Sequence, residues 1–546
     1  MATVIVKRLA NVKTRRETGL DYVVSAMNLL TPFGTKQIKE QKPFLPGQED
    51  ELRAELGRIH QMMETALQHV KDIELLQEVF MMIKDNTFSI ERSGNSVLSV
   101  VEIFEIKSLL LQMEKISKLS GKLSFPDEFK CKDVTGLLDI LDPGKDRLNT
   151  FYIYDSFSEK LEFLRKEKKE TDRTLRKTQK ALKDIIKEKY GVTLNPKFEL
   201  VISKSDQHSI QMISEIQELT RVDEDYMSVT FSLAPTEETD VLIKKGDQLT
   251  VEIENEEFRV REVLSHKISE YEDDLLTNCR KIGKLDITLS KALYAHKHDC
   301  VMPEIVKEHV VEFEDGRHLQ VEEILKSKGG TYCPVSISLR DGVTCITGAN
   351  MGGKTISLKL TGMVAILAQY GYFVPCRKAR VGLSNYMQIL IGDSQSIERG
   401  LSSFGSEMEE LKEIMDNSKD RSLILIDEIA SGTNPVEGLA LTRSLIDYLK
   451  TKTYITLMTT HFEAVTETEG VKNMQVMGLG NADFKKLDKE LRYANRKERI
   501  KIIGRYMDYR LVLVENAGEI PKDALNIAKM LGIDKEIIEK AKEYIK

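Results

Sequence analysis

Eight consecutive residues, Gly348-Ala349-Asn350-Met351-Gly352-Gly353-Lys354-Thr355, fit the spacing G-x-x-x-x-G-K-[ST] of a phosphate-binding loop. Glycines at 348, 352 and 353 let the backbone turn tightly enough for successive N–H groups to converge on phosphate oxygens. The positive end of the helix that follows points at the same anion. Gly348, Asn350, Met351, Gly352 and Gly353 would then line the phosphates, Lys354 would reach the outer ones, and the Thr355 hydroxyl would hold magnesium. The cofactors implied are ATP and Mg2+. A glycine turn without a ligand is the plain alternative.

Two further groups suit the same chemistry. Arg421-Ser422-Leu423-Ile424-Leu425-Ile426-Asp427-Glu428 reads as a buried parallel strand that ends in two carboxylates. Acids at the carboxyl end of such a strand lie where open α/β sheets bind ligands. Asp427 would orient magnesium through water, and Glu428 would position or deprotonate the attacking water. Tyr454 to Thr460 reads as a second strand and ends at His461. Alone, a strand-end histidine is more often structural; after the other two motifs it reads as a sensor of the terminal phosphate. Between loop and acidic strand, Ile391 to Ile397 and Leu401 to Met408 are rich in hydroxyl and amide side chains.

The elements that must position these groups are legible around them. Val343 to Thr347 is a short β-prone run, and Ile356 to Gln369 is apolar at helical spacing, so the loop is expected between strand and helix. At 546 residues the chain is too long for one core, and three or four domains are expected. Charged residues make up 31% and aromatics 6%, which suits long helices with solvated faces. The net charge of −7 argues against wholesale nucleic-acid binding and leaves room for a local basic surface. Six cysteines without a C-x-x-C pair, no leader-like segment and no apolar run of 18 residues point to a reduced cytoplasmic protein with no membrane partner.

Upstream of the loop, residues 1 to about 130 read as helical, with Leu52, Leu56, Ile59, Met62 and Met63 at helical spacing. Ser158 to Tyr190 reads as one long charged helix carrying twelve Lys or Arg against seven Asp or Glu. Two readings are open for it, a lever with a basic face for phosphates or a solvated coiled-coil arm. After Gly191, Phe198 to Ile202 and Leu249 to Ile253 read as strands. Between Pro196 and Arg261 stand seven basic and fifteen acidic residues, so this module is acidic. Helical spacing returns from about Val263 to Ala295, which makes the strand module an excursion at the tip of two antiparallel helices.

These motifs resemble the MutS family of ABC-type ATPases. The resemblance runs from Gly316-Arg317-His318, through Thr347 to Thr355, to Asp427-Glu428-Ile429-Ala430-Ser431-Gly432-Thr433-Asn434-Pro435 and Thr459-Thr460-His461-Phe462. Ile391 to Met408 and Gly432 to Gly438 resemble the second bacterial branch, which does not depend on mismatch recognition, and Leu30 to Thr35 and Leu285 to Ala295 resemble its helical core and lever. It implies a multidomain α and α/β fold. A helical core would occupy 1–130, a lever helix 131–195, an acidic clamp-like tip 196–262 and a returning lever helix 263–304. An ABC-type P-loop ATPase domain would occupy 305–507, with a basic insertion at 480–505, and a helical dimerisation segment 508–546. In such ATPases Ser402 and Ser403 of one subunit would cap the γ-phosphate held by Gly348 to Thr355 of the other, and Gln395 would link nucleotide state to the lever. That implies a homodimer through the ATPase domain.

The sequence departs from the family at Ala349 and Leu319, where proline is usual, and at Thr355-Ile356, where Ser-Thr is usual. Neither a mismatch-reading domain nor a small MutS-related nuclease domain is expected. Two functions follow from the resemblance. One is a dimeric ATPase that binds mismatched or branched DNA. The other resembles the ATPase subunit of a reactivase for adenosylcobalamin-dependent lysine aminomutase, with a protein client docked on the acidic tip and basic insertion.

Overall fold

The structure, a computed structural model, describes residues 9–348, 353–392, 403–462, 465, 468–479, 482–491, 496–514 and 523–544. The chain opens with α1 (Val12–Glu17), α2 (Leu20–Ala26), α3 (Pro32–Lys39), α4 (Glu49–Gln68) and α5 (Val70–Met81). It continues with α6 (Thr87–Arg92), α7 (Val100–Lys122), α8 (Thr135–Leu141) and α9 (Glu159–Tyr190). A small module follows, made of β1 (Glu199–Ser203), α10 (Gln207–Ser214), β2 (Leu219–Glu224) and β3 (Ser228–Leu233). Two long helices, α11 (Glu237–Ser269) and α12 (Glu272–Lys297), come next.

Strands and helices then alternate: β4 (Glu304–Val306), β5 (Val310–Gly316), α13 (Leu319–Ser327), β6 (Val335–Arg340), β7 (Gly342–Thr347) and α14 (Lys354–Gln369). After these come β8 (Lys378–Gly382), β9 (Tyr386–Ile391), α15 (Ser403–Asn417), β10 (Ser422–Asp427), α16 (Pro435–Lys450) and β11 (Tyr454–Thr459). The last described elements are β12 (Lys472–Gly478), α17 (Phe484–Leu491), α18 (Arg496–Tyr506), β13 (Asp508–Leu513), α19 (Asp523–Leu531) and α20 (Lys535–Tyr544). This is a mixed α and α/β protein.

The chain divides into two compact units, one formed by residues 1–77 and 282–546, the other by 78–281. The helical region expected over 1–130 is therefore split between them. In the first unit a six-stranded sheet has the order β13-β12-β7-β11-β10-β9. Its members pair in parallel except β13, which runs antiparallel to β12. Parallel strands covered on both faces read as continuous apolar runs, and β10 and β11 do so: Leu423 to Ile426 and Ile455 to Met458 are buried. Helix α14 is buried along most of its length, and Ile446 and Leu449 of α16 pack under the same sheet beside Ile424, Ile426 and Met458. A second sheet has the order β4-β8-β5-β6.

Two sequence expectations change here. Strand β13 belongs to the sheet, so the sheet extends past residue 507 into the segment read as separate. The stretch read as an insertion, 480–505, supplies α17 and α18, whose Leu487, Leu491, Ile502 and Ile503 share one core with Ile527 and Met530 of α19.

In the second unit α9 and α11 pack antiparallel. Thr178 donates to Glu238, Lys245 pairs with Glu167, and Ser158 donates to Glu256, so residues later on α9 meet residues earlier on α11. Ser158 caps α9 by accepting from the Leu161 N–H, and Gly191 ends it in the left-handed conformation. The tip is an antiparallel sheet of order β1-β3-β2 over a core that includes Ile202, Ile213, Val229 and Phe231.

The second expected strand is absent. Leu249 to Ile253 lies inside α11, which starts at Glu237 behind a Thr236/Thr239 capping box rather than near Val263. Thr250, Val251 and Ile253 favour strands singly, but Gly246, Leu249, Glu256, Val260, Leu264 and Ile268 are the buried positions, and that spacing is helical. The acidic region divides accordingly: seven of the fifteen acids lie in the tip at 196–236 and eight on α11.

Candidate nucleotide site

The groups singled out by the sequence lie at the carboxyl ends of β7, β10 and β11, which are consecutive in the order β7-β11-β10. Strand β7 ends at Thr347, and Gly348 follows at φ 126°. Gly353 precedes the first residue of α14 at φ 78°. Both glycines hold backbone conformations that a side chain would strain. A Cβ on Gly353 would also come within 3.1 Å of the Tyr509 ring on β13, so a side chain there would push on that ring as well.

Lys354 is 3% exposed, and its ammonium stands at the centre of the cluster. Nζ donates to the Gly348 carbonyl at 2.7 Å, lies 3.4 Å from Glu428 Oε1 and 3.5 Å from His461 Nδ1. Burial lowers its pKa, against the upward pull of the Glu428 and Asp427 carboxylates. His461 Nε2 lies 2.6 Å from Glu428 Oε2. The hydrogen bond from His461 is the main cause holding Glu428 below its ordinary carboxylate range, with Lys354 adding to it.

The second carboxylate has different partners. Asp427 accepts from Thr355 Oγ1 at 2.8 Å and from Thr459 Oγ1 at 2.6 Å. Thr355 opens the helix after the loop and Asp427 closes β10, so this bond ties the two motifs directly. A hydroxyl beside an acid, next to a buried ammonium, is an oxygen donor set that suits a hard divalent cation with an anion bound alongside.

Past β10 the backbone is forced into an unusual path. Glu428 and Ala430 are both left-handed, at φ 51° and 59°, a conformation costly for side chains of either kind. Surrounding bonds hold it there. The Glu428 N–H donates to the Thr459 carbonyl and hydroxyl, each at 3.1 Å. The Ala430 N–H lies 3.2 Å from both carboxylate oxygens of Glu407 on α15. Gly438 passes so close to the Ala430 carbonyl that a Cβ there would sit 2.9 Å from it.

Of the residues named from sequence, Gly348, Gly353, Lys354, Thr355, Asp427, Glu428 and His461 are brought together. Ser403 is the first residue of α15. Asn350, Met351, Gly352, Gln395 and Ser402 lie outside the described residues. Three residues the motifs did not assign are Thr459, Glu407 and Tyr509. A polar pair, Thr459-Thr460, closing an apolar strand was a usable signal for the first; Glu407 lies inside the stretch Leu401 to Met408 singled out above but without a role of its own, and nothing in the sequence marks Tyr509. A Ser-His-Asp arrangement elsewhere, with His309 Nδ1 2.6 Å from Asp341 and Nε2 3.2 Å from Ser384 Oγ, has its serine 1% exposed and out of reach of any substrate.

The arrangement is that of a mixed α/β protein with a buried lysine, two carboxylates and a histidine gathered at the carboxyl edge of a parallel sheet. Residues 344–546 match the family model of MutS domain V. The chain is 29% identical over 420 residues to the endonuclease MutS2 of Halothermothrix orenii, covering 72% of this chain and 51% of that protein. It is 35% identical over 226 residues to the endonuclease MutS2 of Clostridium botulinum strain Langeland, covering 40% of this chain and 28% of the relative. It is 32% identical over 288 residues to that of Fusobacterium nucleatum, 53% of this chain and 33% of the relative. The chain spans about half the length or less of these relatives.

Proposed function

We propose that the chain is a MutS-type ATPase in which ATP binding and hydrolysis, in a homodimer, move lever helices on bound DNA. The observation that carries the reading is the meeting of Lys354, Glu428 and His461 within 3.5 Å beside the Thr355–Asp427 pair. Lys354 binds the outer phosphates and gives up its bond to the Gly348 carbonyl to do so. Thr355 and Asp427 hold magnesium, which supplies charge neutralisation on the phosphates. Glu428 takes the proton of the attacking water, and His461, already bonded to it, orients the carboxylate and senses the terminal phosphate.

The remaining roles belong to the same proposal. Ser402 and Ser403 of one subunit cap the γ-phosphate of the other, Gln395 links nucleotide state to the lever, and residues 508–546 close the dimer. The DNA is mismatched or branched duplex.

Replacing Glu428 by Gln is expected to lower phosphate release by roughly 10²- to 10⁴-fold while ATP still binds. Unchanged turnover would remove Glu428 as the base. Sedimentation with and without ATP tests the dimer, and anisotropy with homoduplex, mismatched and branched DNA tests the load.

One observation favours a second reading, an ATP-driven protein reactivase of the kind that serves adenosylcobalamin-dependent aminomutases. The tip carries seven acids against three basic residues, a charge that suits a protein client better than phosphates. A client enzyme regaining activity only with this chain and ATP, with no DNA binding at low salt, is the outcome that selects it.

A further inference from the structure

Helix α9 has two unlike faces. Its inner row, Leu164, Thr171, Leu175 and Leu182, turns toward the interior of the unit, with Leu164 and Thr171 buried and Leu175 and Leu182 half-buried. Lys166, Lys169, Arg173, Arg176, Lys180, Lys183 and Lys187 follow one another in steps of three and four, which places them in one stripe. At about 100° per residue the stripe is centred roughly 150° from the inner row and is roughly 32 Å long. All but the half-buried Lys183 are exposed.

The stripe is left unneutralised. Ion pairs of α9 with its surroundings use other cations, Lys160 with Glu256, Arg165 with Glu257 and Lys189 with Glu218, and within the helix Lys168 pairs with Asp172. Lys183 donates to the Asn195 carbonyl. Among the described residues, Lys166, Lys169, Arg173, Arg176 and Lys180 have no ion pair or hydrogen bond from their side chains. Of the acids between Lys166 and Lys187, Glu167, Glu170 and Asp172 project roughly 70° or more from the centre of the stripe and Asp184 roughly 50°, and among the described residues none is ion-paired with a stripe cation: Glu167 pairs with Lys245 and Asp172 with Lys168. Like charges three and four apart on a helix repel, so the free helix carries a cost that a polyanion laid along it would remove.

We propose that the outer face of α9 is a phosphate-tracking surface for duplex DNA. This rests on the DNA reading above and assigns it a place. Its length is close to one turn of B-DNA, about 34 Å, over which phosphates present one charge every 1.7 Å or so. Lys and Arg without apolar or aromatic neighbours on the stripe suit backbone contact independent of sequence, and they lack the apolar face a membrane-surface helix needs. The exposed Phe163 and Ile185 lie off the stripe. The acids of the tip and of α11 then confine the duplex to the α9 side.

The test is anisotropy of a labelled 30-base-pair homoduplex with the full chain, from about 50 to 200 mM salt. Reversing three charges, R173E with R176E and K180E, is expected to reduce the slope of log affinity against log salt by roughly 3 and to weaken binding at least tenfold. The swap R173K with R176K and K180R keeps binding. Neutralising α11 with D247N and E254Q leaves it equal or tighter. DNA-free ATP hydrolysis and helical circular dichroism stay unchanged in the reversal variant, which separates lost contact from lost fold. Wild-type affinity and slope in the reversal variant would overturn the assignment of α9 while leaving DNA binding standing. Binding of phosphatidylserine vesicles that equals duplex binding would also overturn it. No salt-dependent binding by the wild type at 50 mM would instead sink the DNA reading itself.

Discussion

The candidate nucleotide site and helix α9 are made of the same charged side chains and arrange them in opposite ways. In the site every charge has a partner of the other sign or a hydroxyl: Lys354 meets Glu428, Glu428 meets His461, and Asp427 takes two threonine hydroxyls. A buried ammonium without such neighbours would be neutralised or expelled. Along α9 five cations stand in water with no partner among the described residues, although Glu170, Asp172 and Asp184 stand three or four residues from them on the same helix. Burial explains the difference. A desolvated charge demands local compensation, whereas a solvated one tolerates its absence and is free to recruit an anion from outside.

The comparison predicts unequal costs for losing one cation. If Lys354 binds the outer phosphates as proposed, Lys354→Ala removes a buried hydrogen bond to a charged phosphate, worth about 1.5–3 kcal/mol, so nucleotide affinity should fall by roughly 100-fold. Lys169→Ala removes one solvated contact among several and should weaken duplex binding only about threefold. Calorimetry for ATP and anisotropy for DNA give both numbers. Equal losses would mean that the α9 stripe acts as a built pocket or that the nucleotide site does not depend on its lysine.

A smaller effect is expected one layer out from the site. Glu407 holds the Ala430 N–H two residues beyond Glu428, in a stretch with two left-handed residues. Glu407→Ala leaves that N–H without its acceptor and frees the backbone that carries Glu428, the proposed base. Turnover should drop roughly tenfold while the KM for ATP moves less than about twofold, and Glu407→Gln, which keeps one acceptor oxygen, should recover most of the loss. A change in KM alone would place Glu407 in nucleotide binding instead.

The two regions also differed in how far they could be read in advance. Gly348, Lys354, Thr355, Asp427, Glu428 and His461 were legible because each sits at a strand or helix end whose apolar run announces it, and spacing along the chain maps onto position in the sheet. Glu407 and Tyr509 were not, since both reach the site through pairings between distant segments that leave no local pattern. Leu249 to Ile253 misled for a related reason: five residues rich in β-branched side chains look like a strand until the burial of Gly246, Glu256 and Val260 sets the period at helical. The stretch 480–505 read as an insertion because its charge hid the apolar residues it shares with α19. Helix α9 itself was correct in extent, Ser158 to Tyr190, and the partner helix decided which of its faces is outward.

Within the second unit one acid provides the counter-example to the open stripe. Glu102, in the first turn of α7, accepts from the Ser99 N–H at 3.0 Å, from the Ser99 and Ser89 hydroxyls at 2.8 and 2.9 Å, and pairs with Arg92. Burial pushes its pKa up, yet these bonds prevail and hold it at about 2. Because the folded value is depressed, its stabilisation is fully present above the ordinary value of 4.5 and is lost as pH falls through about 2. Glu102→Gln should therefore lower stability by about 1 kcal/mol near pH 6. The gap to wild type in urea midpoint should narrow steadily toward pH 3. A gap that stays constant over that range would show that the carboxylate's charge contributes nothing there. The contrast with α9 would then be one of hydrogen-bond geometry alone, because the capping bonds to Ser99 survive in the amide while the charge opposite Arg92 does not.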